Sequence, residues 1–341
     1  MLLKISTFAI PATALTLAMA PPPASADAVS DFYKGNRIAF VVAVPPGGGY
    51  DLNTRVLARH MARHIPGNPA TIVQNMPGAG GAKAANYMYN VAPKNGTVIS
   101  MPLSSIIVAQ LLRPGKIKYD AGRFNWLGTI TTMTDVLVTW HTAGVKTIDD
   151  ARKKQVIFGT SSKNSMGYQE PALLNALVGT KIKVVLGYRG GKAMTLAMER
   201  GEVQGRANQW ASWRVQKPKW LKDGTIVPLV QIGPKDPEYM NVPAMIDLVK
   251  TEHDRSLVRI LHMTLNIGRS IYTGPGVPRA RVEGLRRAFD ATLRDPAFLK
   301  EVKAKRLVLN PVRGVDVQKF VAKSLKTSEQ TIKAFKAAIG L

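Results

Sequence analysis

Residues 38–55 read IAFVVAVPPGGGYDLNTR, and the fold class is decided there. The run from Ile38 to Val44 is apolar without alternation, the pattern of a strand buried on both faces. Pro45-Pro46-Gly47-Gly48-Gly49 follows at once. Beyond it Leu52, Val56, Leu57, Met61 and Ile65 fall on one stripe with Arg55, Arg59 and Arg63 opposite, which is helical spacing. Strand, glycine loop and helix form the repeating unit of an α/β sheet. Glycines let the backbone turn tightly and come close to a ligand, while the first N–H groups of a helix point outward with partial positive charge. Such a loop suits an anion and needs no cationic side chain.

A second unit repeats the arrangement. Thr71 to Val73 precedes Asn75-Met76-Pro77-Gly78-Ala79-Gly80-Gly81, and Ala82 to Tyr89 is helical. Further apolar runs at Thr97 to Met101, Val136 to Trp140, Val156 to Phe158, Lys183 to Leu186 and Val227 to Ile232 read as buried strands. Alternation of strand and helix predicts mostly parallel sheets covered by helices on both faces, with right-handed crossovers. Ligands in such sheets lie beyond the C-terminal strand ends, so the two glycine loops are expected to clamp one carboxylate between them.

The turn-rich stretch from Gly115 to Asn125 marks a lobe boundary, and the apolar stretch Ile260 to Ile267 reads as the return crossing after a loop at Gly233 to Glu238 and a helix over Val242 to Lys250. Two lobes follow, one from 27–133 with 262–341, the other from 134–261. Near the end, Asp316 reads as the N-cap of one long surface helix. Its stripe is Val317, Val321, Leu325, Ile332, Phe335 and Ile339, packed on the core under a lysine face.

The chain has 341 residues, enough for two domains of ordinary size, and its 45% hydrophobic and 20% charged residues are globular proportions. Lys4, the apolar run from Ile5 to Ala20 and Ala24-Ser25-Ala26 read as a secretory signal cut after Ala26. Pro11 interrupts that run and Pro21 to Pro23 end it, against a membrane anchor. The expected compartment is the periplasm. There is no cysteine, so the fold is held by packing without disulfides. Lysine and arginine number 47 against 22 acidic residues, a formal charge of +25 that favours anionic partners. Secretion argues against nucleic acid and leaves an anionic surface or a small acid; the expected state is a monomer.

Neither glycine loop is a nucleotide signature, because Leu52 and Lys83 stand where GxGxxG needs its third glycine. GxSxG and HExxH are absent, and Ser161 and Ser165 have no evident partner histidine. His60 and His64 are spaced i, i+4 but lie beside Arg59 and Arg63 without a third ligand, so a solvated basic face is expected. No catalytic residue, metal or cofactor is assigned, and the chain reads as a binder and not an enzyme.

The leader, PPGGGYDLNTR, NMPGAGG, PKNGTVI, the turn Gly274-Pro275-Gly276-Val277-Pro278 and the loop Gly159 to Ser165 together resemble the Bug family of substrate-binding proteins, over essentially the whole mature chain. The resemblance implies a two-lobed periplasmic binding protein that closes like a Venus flytrap and delivers a small organic carboxylate to the membrane permease subunits of a tripartite tricarboxylate transporter. Delivery to a sensor kinase is the alternative. It also implies that Gly48, Gly49, Tyr50, Asp51, Gly78, Ala79, Gly80 and Gly81 hold the carboxylate through backbone N–H groups and ordered waters, with Ser104 after the third strand. Thr160, Ser161 and Ser165 would meet the distal end. Ser162 and Asn164 depart from the family's GSxGxGS pattern. Where the family has VPYxG, Arg189 offers a guanidinium to a second carboxylate, and Asn208, Gln209 and Trp210 offer amide and aromatic surface. Asp51 has two readings, capping its helix or facing the cleft. The ligand stays open among di- and tricarboxylates, acidic amino acids and aromatic acids.

Overall fold

A computed structural model describes residues 24–234 and 241–341. The body of the expected leader and part of the Gly233 to Glu238 loop lie outside the described residues. The expected cut after Ala26 falls within the helix Ala24–Tyr33.

Among the described residues eleven strands form two sheets. In chain order they are β1 (Arg37–Val42), β2 (Ala70–Asn75), β3 (Val98–Met101), β4 (Asn125–Thr129), β5 (Asp135–Trp140), β6 (Val156–Gly159), β7 (Ile182–Val185), β8 (Gly205–Gln209), β9 (Ile226–Ile232), β10 (Ser270–Thr273) and β11 (Val312–Arg313). One sheet has the order β11-β4-β10-β3-β1-β2, the other β7-β6-β8-β5-β9. Two α/β lobes therefore stand as the alternation of strands and helices requires.

The ladders are mixed and not mostly parallel. β1 pairs in parallel with β2 and β3, and β6 does so with β7 and β8. β10 and β5 run against both of their neighbours. These are the first strand after the return crossing and the first after the outward crossing, so each is inserted antiparallel into the sheet it enters. The expectation of full burial fails for β2, an edge strand whose residues alternate between exposed and half-buried.

The return crossing is displaced. Ile260 to Ile267 belongs to the helix Glu252–Ile267, whose N-cap Thr251 accepts a hydrogen bond from the Asp254 amide. A short apolar run fits a buried strand and a buried helical turn equally. The chain crosses instead at Gly268, where a Cβ would lie 2.0 Å from the Thr131 carbonyl oxygen, so only glycine passes. The two crossing segments bond to each other: Ile130 N–H donates to Arg269 O and Arg269 N–H to Thr131 O, both at 3.0 Å.

Three further expectations change. Val242 to Lys250 is helical only over Met245–Leu248. The single C-terminal helix is two, Gly314–Ser324 and Glu329–Ala338, because Ser328 caps the second by accepting from the Thr331 amide; Asp316 lies in the first turn, paired with Arg313. His60 and His64 are not on a solvated face. His60 Nε2 lies 2.7 Å from Glu301, His64 Nε2 lies 2.6 Å from Asp295, and Arg59 and Arg63 join the same two carboxylates. The Gly49–Met61 helix is thereby fastened to the helix Pro296–Ala304.

Packing is tight where β8 crosses the second sheet. A Cβ on Gly205 would lie 2.4 Å from the Phe158 ring and 2.5 Å from the Val138 carbonyl oxygen. Overpacking of this kind costs about 1–3 kcal/mol. Gly205→Ala is expected to destabilise the fold by that amount, seen as a lower urea midpoint with an unchanged slope; an unmoved midpoint would contradict the packing described.

Candidate functional site

The helix Gly49–Met61 begins without the side-chain cap that helices ordinarily use. Its N-cap is Gly48, in extended conformation, and no side chain accepts from the first turn. Asp51, in that turn, folds backward: Gly47 N–H donates to its Oδ2 at 2.9 Å. Arg55 Nε donates to both carboxylate oxygens at 3.1 Å, and Asn75 Nδ2 to Oδ1 at 2.9 Å. The Asn75 amide also donates to Val44 O and accepts from Arg55 Nη2, each at 2.9 Å. Burial alone would raise the Asp51 carboxyl, but these donors outweigh it and hold the group below the usual carboxylate range. Of its two sequence readings, Asp51 does not cap the first turn: it accepts from Gly47, the residue before the N-cap, and ties the first glycine loop to the root of the second, while lining the smaller of the two cavities between the lobes.

Two adjoining cavities lie between the lobes, beyond the C-terminal ends of β1 and β8. Gly47, Gly48, Gly49, Ser212 and Gln216 line both. The larger, about 260 Å³, is bounded by Val44 to Tyr50 from one lobe and by Arg189 to Lys192, Arg206, Asn208 and Gln209 from the other. Its charged lining is Arg189, Lys192 and Arg206, with no acidic side chain. The smaller, about 190 Å³, adds Asp51, Arg55, Arg269, Leu307 and Val308.

Two buried arginines, missed in the sequence, form the floor. Arg206 Nη1 donates to Gly191 O at 2.6 Å and to Thr195 Oγ1 at 2.9 Å, with the guanidinium 5.3 Å over the Trp213 ring. Arg269 Nη2 donates to Gln209 Oε1 at 2.8 Å and Ser212 Oγ at 3.4 Å, and its Nε is buried without a partner. A Cβ on Gly49 would lie 2.7 Å from Arg269 Nη2, so any larger residue there would displace the guanidinium. The sequence did carry a signal, since each arginine follows a glycine at the edge of a buried run, where charged residues are rare.

Of the residues assigned from sequence, Gly48, Gly49, Tyr50, Arg189 and Asn208 line the larger cavity and Asp51 the smaller. Ser104 stands behind the wall, its hydroxyl accepting from Tyr50 at 3.1 Å. Gly78, Ala79, Gly80 and Gly81 line neither cavity. Gly80 O accepts from Ser105, and a Cβ on Gly80 would meet Asn164 of the other lobe at 3.6 Å. Thr160 and Ser165 bond each other at 2.7 Å, and Ser161 is exposed; none of the three lines either cavity. The expected clamp of two glycine loops is thus one glycine loop facing the opposite lobe, with the second loop closed against Asn164.

Beneath the floor sit two wholly buried acids, Asp135 and Glu170. Burial pushes Asp135 up to about 6, against nearby Glu170, Arg206 and Arg269; burial and the neighbouring Asp135 raise Glu170 well above the carboxylate range. Asp135 Oδ1 and both Glu170 oxygens find no other donor, so a proton shared within the pair supplies the missing bond. Raised acids contribute stability that is complete below their unfolded value of about 4 and lost as pH rises through the folded value. Melting temperature is therefore expected to fall from pH 5 to 8. Glu170→Gln should flatten that slope. Equal slopes in calorimetric scans of both proteins would refute the shared proton.

No family model matches the sequence. The "UPF0065 protein in gbd 5'region" of Cupriavidus necator is 28% identical over 176 residues, spanning 51% of this chain and about half, 50%, of the relative's length. Among solved structures, Rhodopseudomonas palustris Rpa4515 with adipate superposes with a TM-score of 0.68 at 20% identity, covering 89% of this chain and 97% of that one. MatC of the same organism, with bound malate, gives 0.66 at 18%, covering 89% and 99%. A TctC solute-binding protein from Polaromonas gives 0.61 at 17%, covering 90% and 99%. The chain has the fold of the two-lobed periplasmic solute-binding proteins of the TctC and Bug kind.

Proposed function

We propose that this chain is a periplasmic solute-binding protein of the Bug family, which captures a small organic carboxylate between its lobes without turning it over and hands it to the permease subunits of a tripartite tricarboxylate transporter. One observation carries the reading: the uncapped start of the Gly49–Met61 helix opens into a cavity whose only charged side chains are Arg189, Lys192 and Arg206. Helix-start amides and fixed cations together stabilise a carboxylate. Rpa4515 and MatC, which share the fold, hold adipate and malate. On this reading residues 1–26 are removed on export, and the lobes are 27–133 with 262–341, and 134–261. The net charge of +25 raises the rate at which anions arrive. Contacts from both lobes to one ligand then shift the population toward the closed form.

A thermal-shift screen of small organic acids tests this. At 100 times its dissociation constant a ligand adds about 2.7 kcal/mol, a rise of several degrees. Gly49→Val is expected to abolish the rise with the fold retained, because its side chain enters the space between Gly49 and Arg269. Failure of every acid to shift the transition, or recovery of a chemically altered ligand by mass spectrometry, would overturn the reading.

A further inference from the structure

The surplus of positive charge is unevenly placed. Residues 27–133 with 262–341 carry 27 lysines and arginines against 10 acids, whereas 134–261 carry 19 against 12. Over part of the first group the cations find carboxylates, as Arg59 does at Glu301, Arg63 at Asp295 and Arg279 at Glu283. The segments 113–123 and 314–341 differ, with nine basic residues and three acidic ones. Two of those acids are already engaged: Asp120 accepts from Gln110 and the Gly122 amide, and Asp316 from Arg313.

These two segments build one face. Gln318 Nε2 donates to Gly122 O at 3.0 Å, and a Cβ on Gly122 would meet Leu325 at 3.1 Å. Arg113, Lys116, Lys336 and Leu341 line a single groove of about 440 Å³. The helix Gly314–Ser324 buries Val317 and Val321, which leaves Lys319 and Lys323 exposed on its outer side; Lys326 and Lys333 are exposed beyond its end. Lys116, Lys118 and Arg123 are exposed on the neighbouring segment. Among the described residues none of these seven cations pairs with a carboxylate, and none lines the two cavities between the lobes.

Like charges gathered on one face repel, so the cluster favours an anionic partner. Six of the seven are lysines, and the single arginine is engaged with the Tyr89 hydroxyl. Protein interfaces are depleted in lysine and anchored by buried aromatic or arginine side chains. Separated, mobile lysines suit instead a fluid sheet of acidic headgroups, where each adds attraction without a fixed geometry. We infer that the face formed by residues 113–123 and 314–341 docks on an acidic lipid bilayer, holding the protein at a membrane surface without occupying the cleft. This docking is separate from carboxylate capture, and its test is independent of it.

Co-sedimentation with vesicles of phosphatidylglycerol and phosphatidylcholine in equal parts, against phosphatidylcholine alone, tests it. The wild-type protein is expected to bind only the acidic vesicles and to be released as salt screens the charges. The triple variant Lys319→Gln, Lys323→Gln, Lys326→Gln, with its fold verified by melting, is expected to bind on the order of 100-fold more weakly. Lys153→Gln, Lys183→Gln, Lys222→Gln, exposed on the other lobe and of equal net charge, should stay close to wild type. Equal losses in the two triple variants would show that net charge alone acts, and would overturn the assignment of the face. Failure to bind acidic vesicles would overturn it outright. Binding to native membranes but not to vesicles of their extracted lipid would give the face to an acidic protein and overturn it equally.

Discussion

A helix start that no side chain caps is the constraint on which the site depends. The first amides of the Gly49–Met61 helix need acceptors, and the neighbouring carboxylate, Asp51, is turned away from them toward Gly47, Arg55 and Asn75. That network shapes the loop while leaving the larger cavity without a negatively charged side chain. A side chain at position 49 would press on Arg269 and fill the space that separates the helix start from the other lobe. The result is a concave surface whose dipole and side-chain charge have the same sign.

Hinge and floor are one piece of structure. Gly268 carries the chain past Thr131, and the next residue, Arg269, bonds through its backbone to Ile130 and Thr131 and through its side chain to Gln209 and Ser212. A ligand that engages this guanidinium touches the segment that both lobes share. On the proposed reading, coupling between occupancy and closure would need no relay, because Arg269 belongs to the crossing segment itself. The acidic pair Asp135 and Glu170, at the start of β5 and in the helix Met166–Val178, adds a protonation state to the same hinge.

Much of this was legible in local pattern. Unbroken apolar runs located most of the strands, and the glycine loop after β1, expected from Gly47, Gly48 and Gly49 to face a ligand, lines the cavities between the lobes. What escaped was set by residues far apart in the chain. Asn164 closes over Gly80, and Glu301 and Asp295 bind His60 and His64 from more than 230 positions away. Arg206 and Arg269 come to line adjoining cavities only because segments far apart in the chain are brought together. Ile260 to Ile267 misled because a seven- or eight-residue apolar run has the same composition in a buried helix as in a strand. Ser328 broke the last helix because a good N-cap outweighs a continuous stripe.

A crystal structure of the protein with a tightly bound organic acid is the most direct measurement. A carboxylate should lie within hydrogen-bond reach of the Gly48 and Gly49 amides, inside the cavity that Arg206 lines. An acid bound at Gly78 to Gly81, or on the outer surface with the helix start open to water, would contradict the assignment of this cleft.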